Sequence, residues 1–117
     1  MLDLYNYRAH VTGVYDGDSI TVDIDLGFNV WMRNQKIRLF GIDTPEIRGE
    51  EREQGLIAKD RVWDLILDKD IILTSYKDKA GKYGRWLGTI LVKEDDGTWT
   101  NVNQLLLAEG LATIYEP

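Results

Sequence analysis

The feature that most constrains the fold is a change of hydrophobic period along the chain. Ile20, Val22, Ile24 and Leu26 alternate with Ser19, Thr21, Asp23 and Asp25, and a period of two means a β-strand with one face buried. Further on, Ala58, Val62, Leu65 and Ile66 fall on one stripe, with Lys59, Asp60 and Arg61 facing outward. That is the period of an amphipathic helix. A half-buried sheet and a one-sided helix in so short a chain are expected to share a core.

The remaining elements follow from local punctuation. Tyr7 to Tyr15 is rich in β-formers and reaches Asp16-Gly17, a hairpin signal because glycine accepts positive φ without steric cost. After a turn at Gly27, a third strand is expected from Val30 to Ile42, ending before Pro45, which has no backbone donor. Ile47 to Gly55 is charged and glycine-bearing and reads as a loop. A helix follows over Glu53 to Leu67, with Trp63 expected in the core. Strands are expected at Ile71 to Tyr76 and Trp86 to Val92, then a turn at Asp95-Asp96-Gly97. Asn101 caps a second helix, whose Val102, Leu105 and Leu106 face inward and whose end is marked by Gly110. Five strands with a helix between the third and fourth is the order of an OB-type barrel, mainly β with helices, the helix plugging one end. The 117 residues suit one domain, 1–117, around one hydrophobic core.

Composition removes several chemistries. The absence of cysteine excludes disulfides, thiolate zinc sites and a cysteine nucleophile, and the single histidine, His10, does not make a zinc cage. The start, Met1-Leu2-Asp3-Leu4-Tyr5-Asn6, has neither a basic segment nor an apolar signal core. The expected location is therefore the cytoplasm, with secretion open if a signal has been removed. Fourteen basic against twenty acidic side chains give a formal charge of -6. Phosphate neutralisation supplies most nucleic-acid affinity, so a nucleic-acid partner would have to be held by a few placed arginines and a cation.

Three clusters carry candidate chemistry: Asp16-Gly17-Asp18, Arg38 through Glu46, and Lys82-Tyr83-Gly84-Arg85. Each has a plain reading by itself. Asp-Gly-Asp is ordinary in a turn, Asp43-Thr44-Pro45-Glu46 fits a helix start, and a lone strand or turn arginine is commonly a solvated side chain. Together they compose a phosphodiesterase site. Asp18 and Asp43 are hard oxygen ligands, with the Thr44 carbonyl as a possible third. Calcium accepts such an irregular oxygen set, whereas magnesium demands a stricter octahedron. Glu46 is placed to act as general base toward an attacking water. Arg38 and Arg85 present planar forks for the phosphate oxygens of a five-coordinate transition state.

The chain resembles the staphylococcal nuclease (thermonuclease) family. The matching residues are Tyr15-Asp16-Gly17-Asp18-Ser19, Ile37 through Glu46, Asp78 with Lys82-Tyr83-Gly84-Arg85, and Asn103 with Gly110-Leu111-Ala112. The resemblance implies an OB-type five-stranded barrel and calcium held by Asp18, Asp43 and the Thr44 carbonyl. It implies Glu46 as base and Arg38 and Arg85 on the scissile phosphate, with Lys82 and Tyr83 gripping the nucleotide's terminal phosphate. The reaction it implies is hydrolysis of the 5′ P–O bond of DNA or RNA, leaving 3′-phosphate ends. A monomer that favours single-stranded or denatured substrate is the expectation. Familiar secreted members are strongly basic, unlike this chain. Their C-terminal tyrosine that stacks on the base aligns with Tyr115 only after a one-residue shift.

Two other readings accommodate parts of the pattern. A non-catalytic OB-fold module would bind nucleic acid without cutting it, but such modules usually lack several of the charged residues present here. An acidic protein that mimics nucleic acid explains the net charge and leaves the two arginines idle.

Overall fold

The computed structural model describes residues 5–76 and 86–115. The chain runs β1 (Asn6–Asp16), β2 (Ser19–Asp25), β3 (Trp31–Leu39), β4 (Ile42–Asp43), a 3-10 turn (Gly49–Glu51) and α1 (Arg52–Ile66). It continues through β5 (Asp70–Tyr76), β6 (Trp86–Lys93), β7 (Trp99–Asn101), α2 (Val102–Ala108) and β8 (Thr113–Ile114). The sheet order is β3-β2-β1-β5-β6-β7, and β3 also pairs with β6. That second pairing, parallel from Ile37 opposite Trp86 to Leu39 opposite Gly88, closes β1, β2, β3, β5 and β6 into a five-stranded barrel. The OB-type barrel with helices is therefore what the chain forms, and the helix after the third barrel strand is α1.

Alternation produces the core. Ile20, Val22 and Ile24 of β2 are buried with Val11, Ile37, Leu39, Ile71, Leu73 and Ile90 from the other barrel strands. Helix α1 packs chiefly against β1 and adds Val62 and Ile66, while α2 adds Val102 and Leu106. Among the described residues no helix is long and apolar enough to cross a membrane.

The boundaries depart from expectation in ways that matter for the site. The third strand does not run to Ile42. Gly41 adopts φ +78° and turns the chain, so that Ile42 and Asp43 leave β3 and pair with Ile114 and Thr113. The expected loop over 47–55 is largely structured, and Gly55 lies buried inside α1. Trp63, expected in the core, is 47% exposed. It lies one residue beyond Val62, about 100° around the helix from the stripe of Ala58, Val62 and Ile66. Leu26, the last apolar residue of the alternation, falls after the end of β2 and is exposed. By contrast, Asn101 caps α2 as expected, its side chain accepting from the Gln104 N–H at 3.1 Å, and Gly110 ends that helix with φ +74°.

One buried polar residue joins these layers. Asn103, 5% exposed, accepts from the Ile90 N–H at 3.1 Å and donates to the carbonyls of Phe40 at 3.0 Å and Gly88 at 3.1 Å. It thereby pins α2 to β6 and to the turn that launches β4. Replacing Asn103 with alanine strands buried backbone groups and is expected to lower the unfolding free energy by about 2–4 kcal/mol. Asn101→Ala, which removes only a helix cap, is expected to cost about 1 kcal/mol. Urea titration of the two variants checks the contrast, and equal losses would contradict it.

Candidate functional site

The turn between β1 and β2, the end of β3, β4 and the segment after it converge on one cleft of about 780 Å³. Its walls include Asp16, Asp18, Arg38, Asp43, Thr44 and Glu46. Among these, side chains separated by up to 30 positions in sequence, Asp16 to Glu46, thus share one concavity. Arg85, Lys82, Tyr83 and Asp78 lie outside the described residues.

Two glycines allow this convergence. Asp16 pairs with Ser19 across the turn, but Gly17 does not take the positive φ expected of it. Its role is close approach: a Cβ there would lie 2.8 Å from the Ala58 Cβ and 2.9 Å from the Thr44 side chain. Gly55 serves the other segment. A Cβ on it would stand 2.1 Å from the Glu46 carbonyl oxygen and 2.8 Å from that of Pro45. Helix α1 therefore presents a surface low enough for both acidic segments to settle on it. The Glu46 N–H donates to Glu51 Oε2 at 3.0 Å, which ties the second segment to the 3-10 turn just before the helix.

Arg38 organises the charges. One of its terminal nitrogens lies 3.1 Å from Asp18 Oδ2, and the other lies 3.3 Å from Asp43 Oδ1 and donates to the Ile42 carbonyl at 3.3 Å. Asp18 is 4% exposed. It accepts from the Thr44 N–H at 3.0 Å and from the Ser19 hydroxyl at 3.3 Å, while its own carbonyl accepts from the Leu39 N–H at 2.8 Å. Asp43 and Glu46 are solvent-exposed at the edge of the cleft. The Thr44 hydroxyl oxygen is buried and has no hydrogen-bond partner among the described residues.

Proton affinities follow from these contacts. Burial opposes ionisation of Asp18, but its hydrogen bonds with Asp16 and the Thr44 N–H, together with Arg38, hold the carboxyl below its ordinary value. Asp16 moves the other way. Burial first, then its hydrogen bond to Asp18 and the repulsion of that carboxylate, push it up to about 7. The pair thus keeps a proton into the neutral range, carried by Asp16. For Arg38 burial favours the neutral form, but Asp18 and Asp43 outweigh it and raise the guanidinium's proton affinity.

The donor set consists of carboxylate, hydroxyl and carbonyl oxygens, which suits a hard cation and not a soft one. No group of three or more His, Cys, Asp or Glu arranged to hold a metal occurs among the described residues. Protein donors here are few, so the fit is to an ion that completes its shell with water.

Residues not assigned from sequence also line the cleft. Asp16 was legible as a neighbour within Asp-Gly-Asp, but its proton follows from its burial and its contact with Asp18, which only the folded chain displays. Tyr115, out of register by alignment, lies in the cleft wall with its ring centroid 5.2 Å from the Arg38 guanidinium carbon. Its N–H donates to the Gly41 carbonyl at 2.9 Å, which extends the β4–β8 pairing by one residue. Tyr15, Thr21 and Lys36 form a further part of the wall.

Comparison with known proteins yields a family match and a similar curated protein. The family described as staphylococcal nuclease homologue matches residues 36–117, a span that takes in Arg38, Asp43, Thr44 and Glu46 and leaves the Asp16–Asp18 turn outside. Among curated proteins the chain is similar to "Uncharacterized protein MJ1439" of Methanocaldococcus jannaschii, 29% identical over 131 residues that cover 94% of this chain. The chain spans about 60% of that relative's length.

Two substitutions probe the construction. Alanine is favoured over glycine inside a helix by roughly 1 kcal/mol, yet Gly55→Ala is expected to destabilise, because its methyl meets the backbone at Glu46. A urea midpoint above that of the wild type would contradict the close approach. A carboxyl whose proton affinity is raised by folding stabilises the fold while protonated. For Asp16 that contribution is complete below the ordinary 3.8 and is lost as pH rises through about 7. Asp16→Asn does not titrate, so in metal-free buffer its stability relative to wild type is expected to rise between about pH 5 and about pH 8. Parallel stability curves over that interval would contradict the assignment.

Proposed function

The chain belongs to the staphylococcal nuclease homologue family, and from that premise we propose that residues 1–117 act as one nuclease domain that hydrolyses phosphodiester bonds of DNA or RNA with calcium. The observation that carries the proposal is the Arg38 guanidinium, held between Asp18 and Asp43 in the cleft that also contains Thr44 and Glu46. The family is nuclease-like.

Asp18, Asp43 and Thr44 would hold the calcium ion. When bound, calcium supplies positive charge to a phosphate oxygen and makes a coordinated water easier to deprotonate. The chain's own groups do the rest. Asp18 is kept ionised by its hydrogen bond with Asp16, by the Thr44 N–H and by Arg38, and is therefore ready as a ligand. Arg38 is fixed by two carboxylates and a carbonyl, so its planar fork is oriented before substrate arrives, and its donors turn to the phosphate oxygens as charge builds on them. Glu46 takes the proton from the attacking water. Arg85 provides the second fork on the same phosphate, and Lys82 and Tyr83 grip the terminal phosphate, as the family resemblance implies. Cleavage falls on the 5′ P–O bond and leaves 3′-phosphate ends. Tyr115, beside Arg38, supplies a ring on which the adjoining base stacks.

An open cleft and stacking rings favour single-stranded or denatured substrate. The cytoplasm and a monomeric state complete the proposal. With a formal charge of -6, binding relies on cations confined to the cleft and is expected to weaken steeply with salt.

The test is cleavage of denatured DNA and of RNA in calcium, magnesium or EDTA. Activity is expected in calcium and not in EDTA. Glu46→Gln is expected to retain calcium binding while losing about 10²- to 10⁴-fold in turnover. Arg38→Ala is expected to lose about 10²- to 10³-fold, with some stability lost because Asp18 is left buried and unpaired. Undiminished activity in Glu46→Gln contradicts the mechanism. Calcium-dependent binding by the wild type without any cleavage identifies a binding module instead.

A further inference from the structure

Beyond the catalytic groups, the cleft continues along the outer face of β2 and β3, and its side chains there have no part in the mechanism above. Lys36 is two residues before Arg38 on β3, on the same face of the strand. At 3.2–3.4 Å per residue the two cations are spaced by about 6.5 Å along the strand, comparable to the separation of neighbouring phosphates in an unstacked single strand. Lys36 is exposed and, among the described residues, its side chain forms no ion pair.

The floor beside Lys36 is bare. Lys36 pairs with Thr21 on β2, and Thr21 with Gly13 on β1, so a row of small side chains leads from the lysine toward β1. Tyr15 stands at that edge, 55% exposed. It sits at a register irregularity between Val14 and Asp16, and its hydroxyl accepts from Arg48 at 3.0 Å. An exposed ring anchored at its hydroxyl by one cation, in the same cleft as a second, offers a stacking platform and a phosphate contact within one groove. Tyr115 lies beyond the other end of β3, bonded at Gly41, so Arg38 is flanked on both sides.

We infer that Tyr15 and Lys36 form a second nucleotide subsite, with Lys36 on the phosphate adjacent to the scissile one and Tyr15 stacking on the neighbouring base. This deepens the nuclease reading and rests on it. The subsite makes the preferred substrate an extended polynucleotide rather than a dinucleotide, and it adds to the pull of Arg38 on a chain whose net charge repels nucleic acid.

The experiment measures binding in calcium on the Glu46→Gln background, which separates binding from cleavage, using a fluorescent single-stranded dodecanucleotide and a dinucleotide. Lys36→Gln is expected to weaken dodecanucleotide binding about five- to tenfold and to reduce its salt slope by about 0.7, the loss of one phosphate contact on a single strand. Tyr15→Ala is expected to weaken it about tenfold, and Tyr15→Phe, which keeps the ring, far less. Dinucleotide affinity is expected to stay unchanged in all three. Equal losses on both probes, or no loss on either, would overturn the subsite while leaving the nuclease reading intact. Absence of nucleic-acid binding in the parent Glu46→Gln protein, together with absence of cleavage in the wild type, would overturn both.

Discussion

The contact on which the site depends is the bridge from Arg38 to Asp18 and Asp43. A carboxylate as buried as Asp18 is tolerated only when hydrogen-bonded and paired, and the Thr44 N–H and Arg38 supply both. The same bridge ties β4 to the β1–β2 turn and the end of β3, which the β2–β3 ladder already sets side by side with Ser19 opposite Arg38. Each approaches because something small permits it. Gly17 lies against Ala58 and Thr44, and Gly55 lies under the Glu46 backbone. The buried Asn103 fixes the turn at Phe40 from behind. The cleft is thus a consequence of barrel closure and of two absent Cβ atoms as much as of its charged groups.

The acidic composition takes on a different meaning in this geometry. Cations line the cleft as Arg38 and Lys36, whereas Arg61 is already engaged by Glu109 at 2.8 Å and Arg33 by Asp23 at 3.1 Å. An overall field that repels nucleic acid and a local one that attracts it favour a single register of the strand in the cleft over diffuse association. A divalent ion between Asp18 and Asp43 would strengthen that contrast further.

What could be read from the sequence was local. The strand alternation, the Asn101 cap and the Gly110 terminus depend on residues a few positions apart, and they appear as expected. The Asp-Gly-Asp and Asp-Thr-Pro-Glu clusters were recognisable through family resemblance, and the cleft brings both together. What depends on distant partners was not legible. Gly17 and Gly55 read as a turn and a loop residue, because close approach to Thr44, Ala58 and Glu46 is invisible until the helix is docked. Trp63 read as core because residue type was weighed over its position off the helical stripe. The Tyr115 ring reaches Arg38 through the short β4–β8 pairing, which two residues on each strand are too few to announce.

Calorimetric titration of calcium into the metal-free protein tests the central claim most directly. The account predicts binding of one ion per chain, lost in Asp43→Asn, an exposed substitution that leaves the core untouched. Undiminished calcium affinity in that variant, or no binding by the wild type, would contradict a cation site built from Asp18 and Asp43.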